Sequence, residues 1–180
     1  MVTIANNITP INMRILYKND TILVREFLPE DLDLFLALLA DPEVARYLPP
    51  NTPERYRQLF AVALEDYRKG LFSRWGIWDA VTNDFIGTCL ARPFVEVPGQ
   101  LEIGYTLAKA YWGRGIATTV SKALVAYCFT HTSARDVVAL THPDNIGSQK
   151  VLEKAGFSRA PHNIVRDQKE AAYFVLHRPA

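Results

Sequence analysis

Cysteine is scarce in this sequence. Only Cys89 and Cys128 occur, each in an apolar stretch and without C-x-x-C spacing, which argues against a disulfide framework and suits buried free thiols in a reducing compartment. Long apolar runs are missing too. Nothing approaches the ~18 consecutive apolar residues of a membrane span, and the start M-V-T-I-A-N-N-I-T-P lacks a basic stretch followed by an apolar one. The expectation is a cytoplasmic protein without a membrane partner. Net charge is nearly absent, 20 Lys+Arg against 19 Asp+Glu giving +1, so the basic surplus that tracks a phosphate backbone is lacking and nucleic acid is not an expected partner. The four histidines, His131, His142, His162 and His177, share no metal-ligand spacing, and no metal site is expected.

What is present is the composition of an ordinary folded domain: 180 residues, 49% hydrophobic, with 9 Gly and 11 Pro. Residues 1–20 mix polar and apolar types without a period and read as an extended or disordered arm. Residues 21–180 read as one domain. T-I-L-V-R-E-F is a strand, and Pro29 opens a helix with acidic residues in its first turn. Prolines 42, 49, 50 and 53 break the next section. A second amphipathic helix follows, with Tyr56, Leu59, Phe60, Ala63, Leu64 and Tyr67 on one face, ending at Gly70. Three antiparallel strands come next, with a polar turn at Thr82–Asp84 and another at Pro98-Gly99. A glycine turn at 113–115, a helix to about Thr130, the strand V-V-A-L, a short helix over 146–155 stopped by Gly156, and two last strands complete the chain. This order predicts an α/β (α+β) domain with a single mixed, mostly antiparallel sheet of six to seven strands and about four helices.

The stretch L-E-I-G-Y-T-L-A-K-A-Y-W-G-R-G-I-A-T is a strand feeding a Gly-Arg-Gly turn that opens a helix. Gly113 and Gly115 let backbone approach a ligand closely, and the free N–H groups of residues 113–118 form an anion cradle at a helix N-terminus. Arg114 can add a charge-assisted contact. A nicotinamide or flavin fingerprint, G-x-G-x-x-G, fails here. The third glycine position is Thr118, Asp136 precedes its strand instead of ending it, and the turn arrives too late in the chain for a doubly wound domain. Glu102, an acid inside an otherwise apolar strand upstream of the turn, reads either as a general base or as part of a solvated strand face.

Y-W-G-R-G-I-A-T resembles motif A, Q/R-x-x-G-x-G/A, of the GNAT acetyltransferase superfamily, and N-I-G-S-Q-K-V-L-E-K-A-G-F resembles its motif B, N-x-x-S-x-x-V-L-E-K-x-G-F. With E-I-G-Y before the glycines, the pattern is similar to that of the ribosomal-protein N-terminal acetyltransferases of the RimJ and RimL type, and it spans residues 21–177. The turn lacks the motif's Gln or Arg and carries Trp112 beside the first glycine, while Thr119 stands where that branch often has Glu.

The resemblance implies a GNAT-type fold and an N-acetyltransferase acting by direct attack in a ternary complex with acetyl-CoA. It implies that Leu107 pairs its backbone with the pantetheine arm, that Gly113, Arg114, Gly115, Ile116, Ala117 and Thr118 hold the pyrophosphate, and that Asn145 and Ser148 reach the arm near the sulfur. It favours Glu102 as the base. Related enzymes often protonate the leaving thiolate with a motif B tyrosine; Leu152 stands at that position, which leaves Ser148, the nearby His142 or water as the donor. Substrate choice in the branch lies between the first two helices, where Tyr47 and Leu48 would line an apolar floor and Arg46 could meet an acid. The acceptor expected first is a protein N-terminal α-amine, with a small amine (amino acid, polyamine or antibiotic) or a non-catalytic acyl-CoA-binding module as alternatives. An edge strand near the C-terminus offers a surface for a homodimer.

Overall fold

The structure, a computed structural model, describes residues 13–179. Eight strands form one sheet: β1 (Ile15–Lys18), β2 (Ile22–Arg25), β3 (Ser73–Asp79), β4 (Phe85–Pro93), β5 (Leu101–Leu107), β6 (Asp136–Thr141), β7 (Ser158–Arg166) and β8 (Lys169–His177), in the order β1-β2-β3-β4-β5-β6-β8-β7. Among the described strands only β5 and β6 pair in parallel. The helices are α1 (Leu32–Ala40), entered through a 3₁₀ turn at Pro29–Asp31, α2 (Pro42–Ala45), α3 (Pro53–Lys69), α4 (Ile116–His131) and α5 (Ile146–Lys154).

The sheet therefore has eight strands, not six to seven, and the additional one lies in the supposed arm. β1 pairs with β2 through Ile15↔Arg25 and Lys18↔Leu23; four residues with both ends exposed carry too little alternation to be legible alone. The rest of that arm, residues 1–12, lies outside the described residues. The fifth α-helix, α2, sits where prolines read as breaks. Pro42 and Pro53 instead occupy first helical positions, where the missing N–H costs nothing, behind Asp41 and Thr52, whose side chains accept from Glu43 N–H at 2.9 Å and Arg55 N–H at 3.2 Å. The edge strand near the C-terminus is β7, not the last strand. Pro161 and a register shift between Arg159 and Asn163 blunt it for pairing with another copy.

Alternation along the strands sends Trp75 and Ile77 to one face, against Val120, Leu124 and Cys128 of α4, and Trp78 to the other, where it joins Phe27, Phe35 and Phe60 under α1 and α3. Cys89 and Cys128 are buried, and burial pushes each thiol up to about 12, which makes them inert. No helix among the described residues is long and apolar enough to cross a membrane.

Candidate functional site

The sheet opens between β5 and β6. They pair only at Leu101↔Val137 and Glu102↔Val138, although β5 runs on to Leu107 and β6 to Thr141. β5 stays bonded to β4 up to Leu107↔Gly87, and β6 stays bonded to β8 up to Thr141↔Ala172, so past Glu102 two strand edges face each other without partners. Ala108 N–H donates to Ile86 O at 2.9 Å. That register turns the even positions of β5 toward β4 and the backbone amides of Ile103, Tyr105 and Leu107 toward the opening. A ligand with amides of its own can complete these edges as an added strand would.

At the mouth of the opening lies the glycine turn. Gly113 and Gly115 have φ of +73° and +77°, the left-handed conformation that a side chain strains, and Gly115 is the N-cap of α4. The first bond into that helix is Thr119 N–H to Gly115 O at 3.1 Å; among the described residues, no protein acceptor takes the N–H groups of residues 113–118. A Cβ placed on either glycine meets nothing within 4 Å, so the space above these amides is open. Consecutive free amides at the positive end of a helix suit a diphosphate. The guanidinium of Arg114 lies 5.2 Å from the Tyr111 ring, beside the turn. Trp112, a departure from the motif, donates its indole N–H to Leu107 O at 2.8 Å and so ties the turn to the end of β5. Of the Leu107 backbone groups, the carbonyl is thus already engaged and the N–H is the one directed at the opening.

Across the opening, α5 begins at Asn145, whose Oδ1 accepts from Ser148 N–H at 3.1 Å. Gln149 Nε2 donates to Pro143 O at 2.5 Å and Asp144 N–H to His142 Nδ1 at 3.1 Å, fixing the 142–145 turn. Tyr105 Oη is 2.9 Å from Ser148 Oγ, and burial, partly offset by that hydrogen bond, pushes the Tyr105 phenol up to about 12. The Tyr47 ring stands 5.3 Å from the His142 ring. Tyr47 is thereby brought from a distant part of the chain to the turn that carries His142, Asn145 and Ser148. Leu48 packs against the apolar cluster under α1 and α3 and lines the cavity beside it. From sequence Tyr105 reads, with Trp75, Trp78 and Tyr111, as core or rim that could clamp a substrate; its bond to Ser148 depends on the fold.

Glu102 is buried, 6% exposed, which removes the solvated-face reading, but it is not a lone acid. Its Oε2 accepts from Arg92 Nε at 2.7 Å and its Oε1 from Arg166 Nη1 at 2.6 Å. Arg166 also grips Glu96 and holds that carboxyl below the usual range. Two guanidinium groups satisfy both of its oxygens, and the alternation of β5 places Glu102 on the face away from Tyr105.

Residues 21–158 match the acetyltransferase (GNAT) domain family. The chain is 28% identical over 162 residues to the uncharacterized N-acetyltransferase p20 of Bacillus licheniformis, covering 88% of this chain and 89% of p20. Its fold matches RimL, described as a ribosomal L7/L12 alpha-N-protein acetyltransferase, with TM-score 0.76 at 16% identity over 92% of this chain and 95% of that one. It also matches the aminoglycoside acetyltransferase AAC(6')-Ib in complex with coenzyme A and kanamycin, with TM-score 0.72 at 19% identity over 88% and 95%. The open amide turn and the splayed strands fit the diphosphate and the amide-bearing arm of coenzyme A, and the chain belongs to the GNAT family, as an acetyltransferase that draws its acetyl group from acetyl-CoA.

Proposed function

We propose that the chain acetylates a protein N-terminal α-amine, in the manner of the RimJ and RimL type, as a cytoplasmic enzyme. In this reading the amides of Gly113, Arg114, Gly115, Ile116, Ala117 and Thr118 hold the diphosphate, the Leu107 N–H pairs with the pantetheine arm, and Asn145 and Ser148 stand at its sulfur end. Bound acetyl-CoA supplies a thioester carbonyl and a thiolate leaving group. The acceptor nitrogen forms the new C–N bond as the C–S bond breaks, and the amine's proton passes to water. Tyr105 keeps its proton, because a phenol raised to about 12 gives nothing up to a thiolate near ~8.5. Its hydroxyl hydrogen-bonds Ser148 Oγ, and with the phenol as donor the serine O–H is free to point at the departing sulfur. Tyr105→Phe is expected to lower kcat about tenfold with little change in coenzyme A affinity, as steady-state kinetics and calorimetry would show.

The observation that carries the α-amine is the engagement of Glu102. With both its oxygens on Arg92 and Arg166, the site has no free acid on β5 to strip a strongly basic amine. At pH 7 about a tenth of an α-amine is neutral, against about one lysine in 2,500. The rate is therefore expected to follow the substrate's own ionisation: kcat/KM for a peptide rises about tenfold per pH unit below ~7.7 and then levels, since the ammonium form has no lone pair for attack. Tyr105 stays protonated well into the alkaline range, so no descending limb appears below about pH 10. Glu102→Gln should keep this shape while costing about 1–3 kcal/mol of stability, because Arg92 loses its charged partner and Arg166 one of its two. A shifted ascending limb in that variant would restore Glu102 as the base.

Fold similarity to AAC(6')-Ib supports a second reading, a small-amine acceptor. Thiol release measured with peptides, amino acids, polyamines and aminoglycosides separates the two. Coenzyme A binding by calorimetry without turnover on any amine would leave only a binding module.

A further inference from the structure

We propose that the acceptor is anionic: a peptide whose first residues carry a carboxylate, read by Arg46, Arg57 and Lys169. This inference rests on the acetyl-transfer reading above. A cavity of about 710 Å³ lies between α1, the segment joining α2 to α3, the start of α3, and Lys169, within the size range of ligand pockets. Its floor is apolar, with Leu36, Leu39, Leu48 and Tyr56 among its lining. Three of the lining residues are cations, Arg46, Arg57 and Lys169, and none is an acid. They arrive from three separate segments. Arg46 ends α2, Arg57 lies early in α3, and Lys169 opens β8 just past a tight turn in which Asp167 and Gln168 have φ of 49° and 62°.

The concentration of positive charge is local, since the whole chain is only +1. Several other cations are neutralised: Lys109 pairs with Glu43 at 2.8 Å, and Arg92 and Arg166 share Glu102. Among the described residues, none of the three cavity cations takes part in an ion pair. The cavity also adjoins the transfer site. Arg46 and Leu48 line it, while Tyr47 between them stands against His142, in the turn that leads to Asn145 and Ser148. An amine at the sulfur end would thus place the rest of its molecule among these cations. A polyamine or an aminoglycoside would carry positive charge into a positive cavity, and like charges there disfavour the wrong partner.

The test compares peptides that share a first residue and are amidated at the C-terminus, with Glu, Gln or Lys at the second to fourth positions, alongside glutamate, spermidine and kanamycin. Glu peptides are expected to exceed Gln peptides about tenfold in kcat/KM, with Lys peptides below both and the advantage shrinking as salt rises. In the Arg57→Gln/Lys169→Gln double variant the Glu-to-Gln ratio should fall toward one, with coenzyme A affinity read in parallel by calorimetry to confirm the fold. Free glutamate turned over better than any peptide would assign the carboxylate to an amino acid and overturn the peptide. Equal rates for Glu and Gln peptides, or a preference for Lys peptides, would overturn the inference and leave N-terminal acetylation standing. Preference for spermidine or kanamycin would overturn both, and absence of turnover with every amine would remove the acetyl-transfer reading itself.

Discussion

Replacing Gly115 with valine is expected to weaken coenzyme A binding about 100-fold or more while the protein still folds. The two effects separate because of what surrounds the residue. Its φ of +77° is the left-handed conformation, which costs an L-residue roughly 1–2 kcal/mol, and a domain of ordinary stability survives that loss. Among the described residues other than its chain neighbours, no atom lies within 4 Å of the added Cβ, so the core is not disturbed. The space it fills is the space a diphosphate needs against the amides of residues 113–118. Displacing two charge-assisted hydrogen bonds forfeits at least about 3 kcal/mol, which is roughly 150-fold in affinity. Gly99→Val is the matched control. Gly99 also has a positive φ, +90°, and open space around it, but it sits in the β4–β5 connection. It should show a similar loss in melting temperature with unchanged coenzyme A affinity. Equal affinity in Gly115→Val and Gly99→Val would remove the glycine turn from the cofactor site.

Asp31→Ala is expected to cost about 3–5 kcal/mol, the largest stability loss of any single charge removed from the chain. Asp31 and Arg25 form a buried pair at 2.9 Å, with side chains 9% exposed on each side. The same Asp31 oxygen accepts from Leu28 N–H at 2.8 Å, and the Arg25 guanidinium lies 3.5 Å from the Trp78 ring. Removal leaves a buried guanidinium without a counter-charge and an amide without an acceptor. The pair joins β2 to the 3₁₀ turn that launches α1, and α1 is a wall of the cation-lined cavity. Loosening it should therefore raise the peptide KM more than it changes coenzyme A affinity, whose binding groups are on β5, α4 and α5. Chemical denaturation measures the first effect, and kinetics beside calorimetry measure the second.

Much of the cofactor side was legible in the sequence, because glycine, helix starts and caps are local. Gly113, Gly115 and Asn145 declare a turn, a helix N-terminus and a cap from their neighbours alone, and the structure places them so. The opening between β5 and β6 was invisible, since it depends on which strands lose their pairing, and no short stretch encodes that. Glu102 shows the limit most plainly. Its burial could be read from an apolar strand, but Arg92 and Arg166 are 10 and 64 residues away in sequence, and only the fold brings them to its oxygens. Tyr105 and Ser148, 43 residues apart, meet for the same reason. Prolines misled in the opposite direction: Pro42 and Pro53 read as breaks, yet each begins a helix behind a capping side chain.

The most direct test is to titrate coenzyme A into isotopically labelled protein and follow the backbone amide resonances. The largest shifts should fall on residues 113–118, with smaller ones at Leu107, Asn145 and Ser148, and saturation should coincide with the calorimetric affinity. Saturable binding that leaves the 113–118 amides unmoved would contradict a diphosphate seated on that turn, and the roles assigned to the residues around it would fall with it.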